Sequence, residues 1–207
     1  RRRHTRYGTV TGVQTCALPI FVHLLDIPQS VDRSQGDIHP GGNPHFLYDP
    51  RAAAAVAKGL ADKMSELDPG QKDAYQAGAA AFVAKLDEAR KGWEARLAGR
   101  RGAPVIGYHK TWTYLADWLG LSQVEFLEPK PGIPPNPSHV AQVLVAARQQ
   151  GVKVILEESY YPEDASKLVA DKSGAHLVVL PGGPSAGQSY IDHLEEVVKL
   201  IEQGFGG

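Results

Sequence analysis

The chain has 207 residues, with 22 Lys and Arg against 23 Asp and Glu, eight His and one Cys. That length suits one large or two small domains of globular composition, and a formal charge of −1 offers no basic footprint for nucleic acid. The single Cys16 excludes a disulfide scaffold or thiolate metal site, and no run of about 18 apolar residues marks a transmembrane helix.

Residues 1–20, RRRHTRYGTVTGVQTCALPI, have no helical or strand period of useful length. Thr9, Thr11, Gly12, Gln14 and Thr15 interrupt the apolar stretch that a signal peptide needs. Residues 10–20 look like a sequencing adapter translated in frame. The expectation is therefore a non-native or disordered segment over 1–20, with the native chain starting further upstream and its signal region missing. Arg1, Arg2, Arg3 and Arg6 lie in that segment and no acidic residue does, so the remainder has 18 basic against 23 acidic residues.

Residues 21–48 are irregular, punctuated by Pro28, Pro40, Gly41, Gly42 and Pro44, with FVHLLDI as the one strand candidate. Asp49-Pro50 reads as an N-cap followed by proline in the first turn, opening a helix over 50–67. Asp68-Pro69 repeats the signal. The helix it opens runs to Leu97, because Tyr75, Ala79, Phe82, Leu86, Trp93 and Leu97 fall on one stripe, a rod of roughly 45 Å at 1.5 Å per residue. From Gly102 the pattern changes to strands at 103–108, 123–127, 152–157 and 176–180, alternating with helices near 111–119, 137–150, 162–172 and 188–203. That alternation predicts a doubly wound α/β parallel sheet. The organisation expected is a remnant of an N-terminal lobe at 21–67, a long connecting helix at 68–100, and a complete C-terminal α/β lobe at 101–207.

Ligands of open α/β sheets gather at the carboxyl ends of the strands. Those ends carry His109, Glu128, Glu157 with Glu158, and Pro181-Gly182-Gly183. Neutral imidazole and carboxylate are what Zn²⁺ and similar divalent ions take when thiolate is absent. A second candidate group is His39 and His45, in the proline- and glycine-bound loop DIHPGGNPHFLYDP. His139 reads as solvent-facing, His193 as lying on a charged helix face, and His23 and His176 as non-ligands. Trp112, Tyr114 and Trp118 read as core and cleft wall, Lys110 as a solvated cation. PGGPSAG is no phosphate loop, since no Lys-Ser/Thr follows it.

Five ordered segments carry a family resemblance: GDIHPGGNPHFLYDPRAAAAVAKGLADKM, GYHKTWTYLADWLGL, LEPKPGIPPNPSH, VILEESYYP and PGGPSAGQSYIDHLEEVV. Together they resemble the metal-binding solute-binding proteins of ABC importers, the zinc and manganese receptor family, over roughly residues 22–203. The resemblance implies two α/β lobes joined by one long helix, with the metal in the cleft between them. It implies His45 of NPHF as a ligand from the first lobe and His109 of GYHKTW as one from the second, with a further first-lobe ligand upstream. The family's fourth ligand, often an aspartate after the last strand, has no clear match in VVLPGGPSAGQSY. Asp192 is the nearest aspartate, Glu158 an alternative as ligand or as acceptor for a ligand histidine, and His39 an auxiliary.

The function implied is an extracytoplasmic receptor, periplasmic or lipid-anchored, that binds Zn²⁺ first and Mn²⁺ second and delivers it to an ABC permease. It is expected to be a monomer, not an enzyme, with no nucleic-acid partner and no membrane contact beyond a lost anchor or the permease. The alternatives are a metal-dependent enzyme, chelatase or hydrolase, using the same histidines, and a metal-binding surface adhesin. As a fragment the chain is expected to bind metal poorly and to expose apolar surface.

Overall fold

The computed structural model describes residues 18–30, 34, 36 and 39–206. Cys16 and nearly all of the adapter-like segment lie outside the described residues. Residues 21–27 form no strand. Leu18–Phe21 is a single 3₁₀ turn, and the groups a strand would pair are taken by other partners: the Leu25 N–H donates to the Tyr114 hydroxyl at 2.9 Å and the Leu25 carbonyl accepts from the Asn43 N–H at 2.8 Å. Phe21, Val22 and Leu25 pack instead on a small cluster of Phe46, Ala52, Val56 and Tyr114.

Asp49 caps helix α1 (Pro50–Leu67) as its sequence signal predicts, its carboxylate accepting from the Arg51 N–H at 2.7 Å with Pro50 in the first turn. Asp68 does not cap the next helix. Pro69–Gln71 is a 3₁₀ turn, and the Asp68 carboxylate accepts from the Tyr75 hydroxyl at 3.0 Å. Helix α2 therefore runs Lys72–Leu97, 26 residues and about 39 Å, shorter than the predicted rod.

Four parallel strands follow: β1 (Pro104–Gly107), β2 (Ser122–Phe126), β3 (Val154–Glu158) and β4 (His176–Leu180), in the order β2-β1-β3-β4. Between them lie α3 (Thr113–Leu119), α4 (Pro137–Gln150) and α5 (Asp164–Ser173), and α6 (Tyr190–Gly204) closes the lobe. Gly120, Gly151 and Gly174 end α3, α4 and α5 in the left-handed conformation that glycine adopts without steric cost.

Every residue of β3 is buried, and its alternation sorts the two layers. Val154 and Leu156 face a core with Trp112, Leu115, Leu194, Val197 and Ile201. Ile155 faces the other, with Val140, Val143, Ala147 and Val169. Helices thus cover both faces, which is the doubly wound α/β lobe expected.

The last half of α2 belongs to the first of these cores through Leu86, Trp93 and Leu97. Its edge is held to α6 by the Trp93 indole N–H on Glu195 at 2.6 Å and by Arg96 on Glu195 and Glu202. The long helix is thus anchored to the α/β lobe along half its length rather than free between lobes. On α1, Leu60, Met64 and Leu67 form an exposed apolar stripe. Among the described residues no helix is long and apolar enough to cross a membrane.

Candidate functional site

The loop before α1 and the carboxyl edge of the sheet meet across an open cavity of about 480 Å³, whose wall includes His39, Asn43, His45, His109 and Lys110. His109 follows β1 where the chain leaves the sheet. His45 immediately precedes a 3₁₀ turn, Phe46–Tyr48, whose Phe46 is buried against Tyr114 with ring centroids 6.4 Å apart. These two anchors bring the imidazoles edge to face, centroids 5.3 Å apart at 78°.

Each imidazole has one nitrogen committed. His45 Nδ1 lies 2.9 Å from Asn43 Oδ1, and His109 Nδ1 lies 2.6 Å from Glu128 Oε2. Both partner oxygens accept, so in each neutral imidazole the hydrogen sits on Nδ1 and Nε2 keeps its lone pair. Glu128 is itself buried and oriented by the Gly132 N–H at 3.1 Å. A carboxylate behind a histidine is the usual support of a metal-binding imidazole. Burial, reinforced by the nearby His109 and His39, lowers the His45 pKa to about 4, so His45 is neutral at physiological pH.

His39 is exposed on the cavity wall, its carbonyl accepting from the Gly42 N–H. Glu158 is fully buried at the end of β3, alongside the Thr111 hydroxyl, and burial pushes its carboxyl above the usual range. It is not part of the cavity wall, and among the described residues neither of its oxygens has a well-aligned hydrogen-bond partner. Asp192 is not brought to the cavity. It is exposed in the first turn of α6, where its carboxylate accepts from the Ser189 hydroxyl at 2.6 Å while its N–H donates to Ser189 Oγ at 3.1 Å, the arrangement of a helix cap.

Three further expectations are amended. His139 is half-buried with Nε2 on the Phe126 carbonyl at 2.9 Å, not solvent-facing. His193 is buried beside Tyr48, with centroids 6.0 Å apart, because α6 turns that face to the sheet. Lys110 lies 3.6 Å from Asp26 and over the Phe126 ring. Trp112, Tyr114 and Trp118 are buried as expected.

Two residues central to the site were not singled out from sequence for the parts they play. Glu128 stood only as one strand end among several, and its partner is 19 residues away. Asn43 precedes His45 by two, a spacing at which an Asn side chain commonly folds back on the backbone; that is the available signal. Among the described residues no three His, Cys, Asp or Glu side chains gather into a metal cage. A four-coordinate site needs two donors more than this pair of imidazoles offers.

Residues 9–204 match the family model ZnuA, zinc-uptake complex component A periplasmic, a match that takes in the whole adapter-like stretch at 10–20. The zinc-binding protein AdcA of Streptococcus pyogenes is 25% identical over 138 residues, 67% of this chain and 27% of the relative. The high-affinity zinc uptake system protein ZnuA of Bacillus subtilis is 29% identical over 135 residues, 65% of this chain and 41% of the relative. The chain thus spans well under half the length of these curated relatives.

Among solved structures, the solute-binding protein FpvC of Pseudomonas aeruginosa in complex with Mn²⁺ superposes with a TM-score of 0.70 at 26% identity, over 80% of this chain and 64% of that one. The Zn(II)-bound AdcAII E280Q variant of Streptococcus pneumoniae gives 0.73 at 26%, over 91% and 69%. These neighbours share the two-lobed receptor fold of which the α/β lobe is part. With the family match running almost end to end, the chain belongs to the ZnuA family of zinc-uptake complex component A proteins.

Proposed function

We propose that this chain is part of an extracytoplasmic solute-binding protein that captures a divalent transition metal between His45 and His109 and hands it to an ABC permease. The observation that carries the reading is the facing pair of imidazoles, each with Nδ1 engaged and Nε2 without a partner among the described residues. In the neutral form that metals take, such a pair presents two nitrogen donors to one cavity. Nitrogen donors favour Zn²⁺ over Mn²⁺ on the Irving–Williams order, so zinc is the first cargo and manganese the second. His39, on the same wall, is the neighbouring auxiliary donor. Glu158, behind the wall, is assigned to the support of the lobe rather than to the metal. The lobe division 21–67, 68–100 and 101–207 is kept, with the second half of the connecting helix moving as part of the α/β lobe.

The relatives' names describe zinc binding and uptake, which supports a receptor rather than an enzyme and a place outside the cytoplasm, periplasmic or lipid-anchored. The test is calorimetric titration with Zn²⁺ at pH 7.5. Weak binding of one zinc per chain is expected, with affinity falling at least about tenfold in His45→Ala and in His109→Ala, the scale of losing a group that a metal site depends on. Both variants binding as tightly as the wild type contradicts the proposal.

A further inference from the structure

Asn43 is 5% exposed, and a buried primary amide must place two N–H donors and two acceptor lone pairs. Here all four are placed. Oδ1 accepts from the His45 backbone N–H at 2.9 Å and lies 2.9 Å from His45 Nδ1. Nδ2 donates to the Lys110 carbonyl at 2.8 Å and to Asp26 Oδ2 at 3.3 Å. The amide orientation is fixed by chemistry, since a carbonyl and a carboxylate only accept and a flipped amide would face both with its oxygen. The backbone of the same residue is held as firmly, its N–H on the Leu25 carbonyl at 2.8 Å and its carbonyl under the Tyr114 hydroxyl at 3.1 Å.

Two consequences follow for the histidine pair. Because Oδ1 cannot donate, the hydrogen of neutral His45 is placed on Nδ1 and the lone pair on Nε2. Because Nδ2 is bonded to the carbonyl of Lys110, the residue after His109, the segment carrying one imidazole is tied to the segment carrying the other. His109 needs no such help, since Glu128 sets its tautomer independently.

Building on the reading of His45 and His109 as ligands, we infer that Asn43 is a positioning residue for metal capture. It selects the Nδ1–H tautomer of His45 and fixes the spacing of the pair before any metal arrives. The role is one of orientation, since the Asn43 nitrogen and oxygen are fully engaged and neither is left to touch the ion.

The test reads the tautomers directly, in metal-free protein at pH 8, by long-range ¹H–¹⁵N correlation of ¹⁵N-histidine. Signals are assigned by their loss in His45→Ala and His109→Ala. In the wild type both rings are expected with hydrogen on Nδ1. In Asn43→Ala, His45 is expected to move toward the Nε2–H form while His109 does not change. In Asn43→Asp, a carboxylate oxygen in the same place accepts from Nδ1 and the Nδ1–H form of His45 returns, while the second oxygen, facing the Lys110 carbonyl and Asp26, gives up the tie between the two segments. Zinc affinity is expected to drop about 10- to 100-fold in Asn43→Ala, the range for lost support of a ligand, with thermal unfolding recorded beside it. Asn43→Ala keeping His45 wholly Nδ1–H, or losing that tautomer with zinc affinity unchanged, overturns the inference. Should Asn43→Ala not fold, Nε2–H found at His45 in the wild type or in Asn43→Asp overturns it. A wild-type protein with the expected tautomers whose zinc affinity is unchanged in both His45→Ala and His109→Ala contradicts the receptor reading instead.

Discussion

Glu157 offers a sharp test of how the sheet edge is built. It ends β3 on the side facing α5, is fully buried, and accepts a hydrogen bond from the Ser166 hydroxyl, while its Oε1 has no partner among the described residues. Burial, with Glu163 and Glu158 adding to it, raises its pKa from 4.5 to about 7. A raised carboxyl pKa means that the folded state holds the proton more tightly than the unfolded chain. The stability it contributes is full below about 4.5 and is lost as pH rises through about 7. The whole difference is worth about 3 kcal/mol at about 1.4 kcal/mol per pH unit. Glu157→Gln keeps an oxygen for Ser166 and removes the charge. Urea unfolding of both proteins at pH 5 and pH 8 is then the assay, and comparing them cancels the groups they share. The variant is expected to match the wild type at pH 5 and to exceed it by about 1–3 kcal/mol at pH 8. A difference that does not change between the two pH values, or a variant less stable at pH 8 only, refutes the reasoning.

His193 shows the opposite linkage: burial lowers its pKa, so its contribution is present above the unfolded value of about 6.5 and falls away as pH drops. His193→Gln, measured by thermal unfolding between pH 7.5 and 5, is expected to lose less stability on acidification than the wild type. Asn136 caps α4 by accepting from the His139 N–H at 3.0 Å; Asn136→Ala is expected to cost about 1 kcal/mol in urea unfolding, and no measurable loss contradicts the cap.

What was legible in the sequence is what local chemistry decides. Asp49-Pro50 opened its helix, and the alternation of short strands with helices after Gly102 produced the doubly wound parallel sheet. The misses were tertiary. FVHLLDI had the composition of a strand but no neighbouring strand, and its backbone found Tyr114 and Asn43 instead. Asp68 carried the same dipeptide signal as Asp49, yet its carboxylate went to Tyr75 and the first turn tightened. His193 looked exposed from its charged neighbours, and only the docking of α6 on Tyr48 buried it.

At the site, His45 and His109 were readable as candidates because both stand at loop positions where ligands collect. Their mutual distance was not, because it depends on Tyr114, Phe46 and Asn43 joining segments more than sixty residues apart. Asp192 stands off the cavity wall for a local reason that sequence alone left open: Ser189 stands three residues before it, and the pair closes the start of α6.

The central claim is that His45 and His109 bind zinc together through Nε2. X-ray absorption at the zinc edge of the loaded protein tests it most directly. The account predicts two imidazole nitrogens at about 2.0–2.1 Å, with one lost in His45→Ala, one in His109→Ala and both in the double variant. A spectrum that retains the same two imidazoles in the double variant contradicts it.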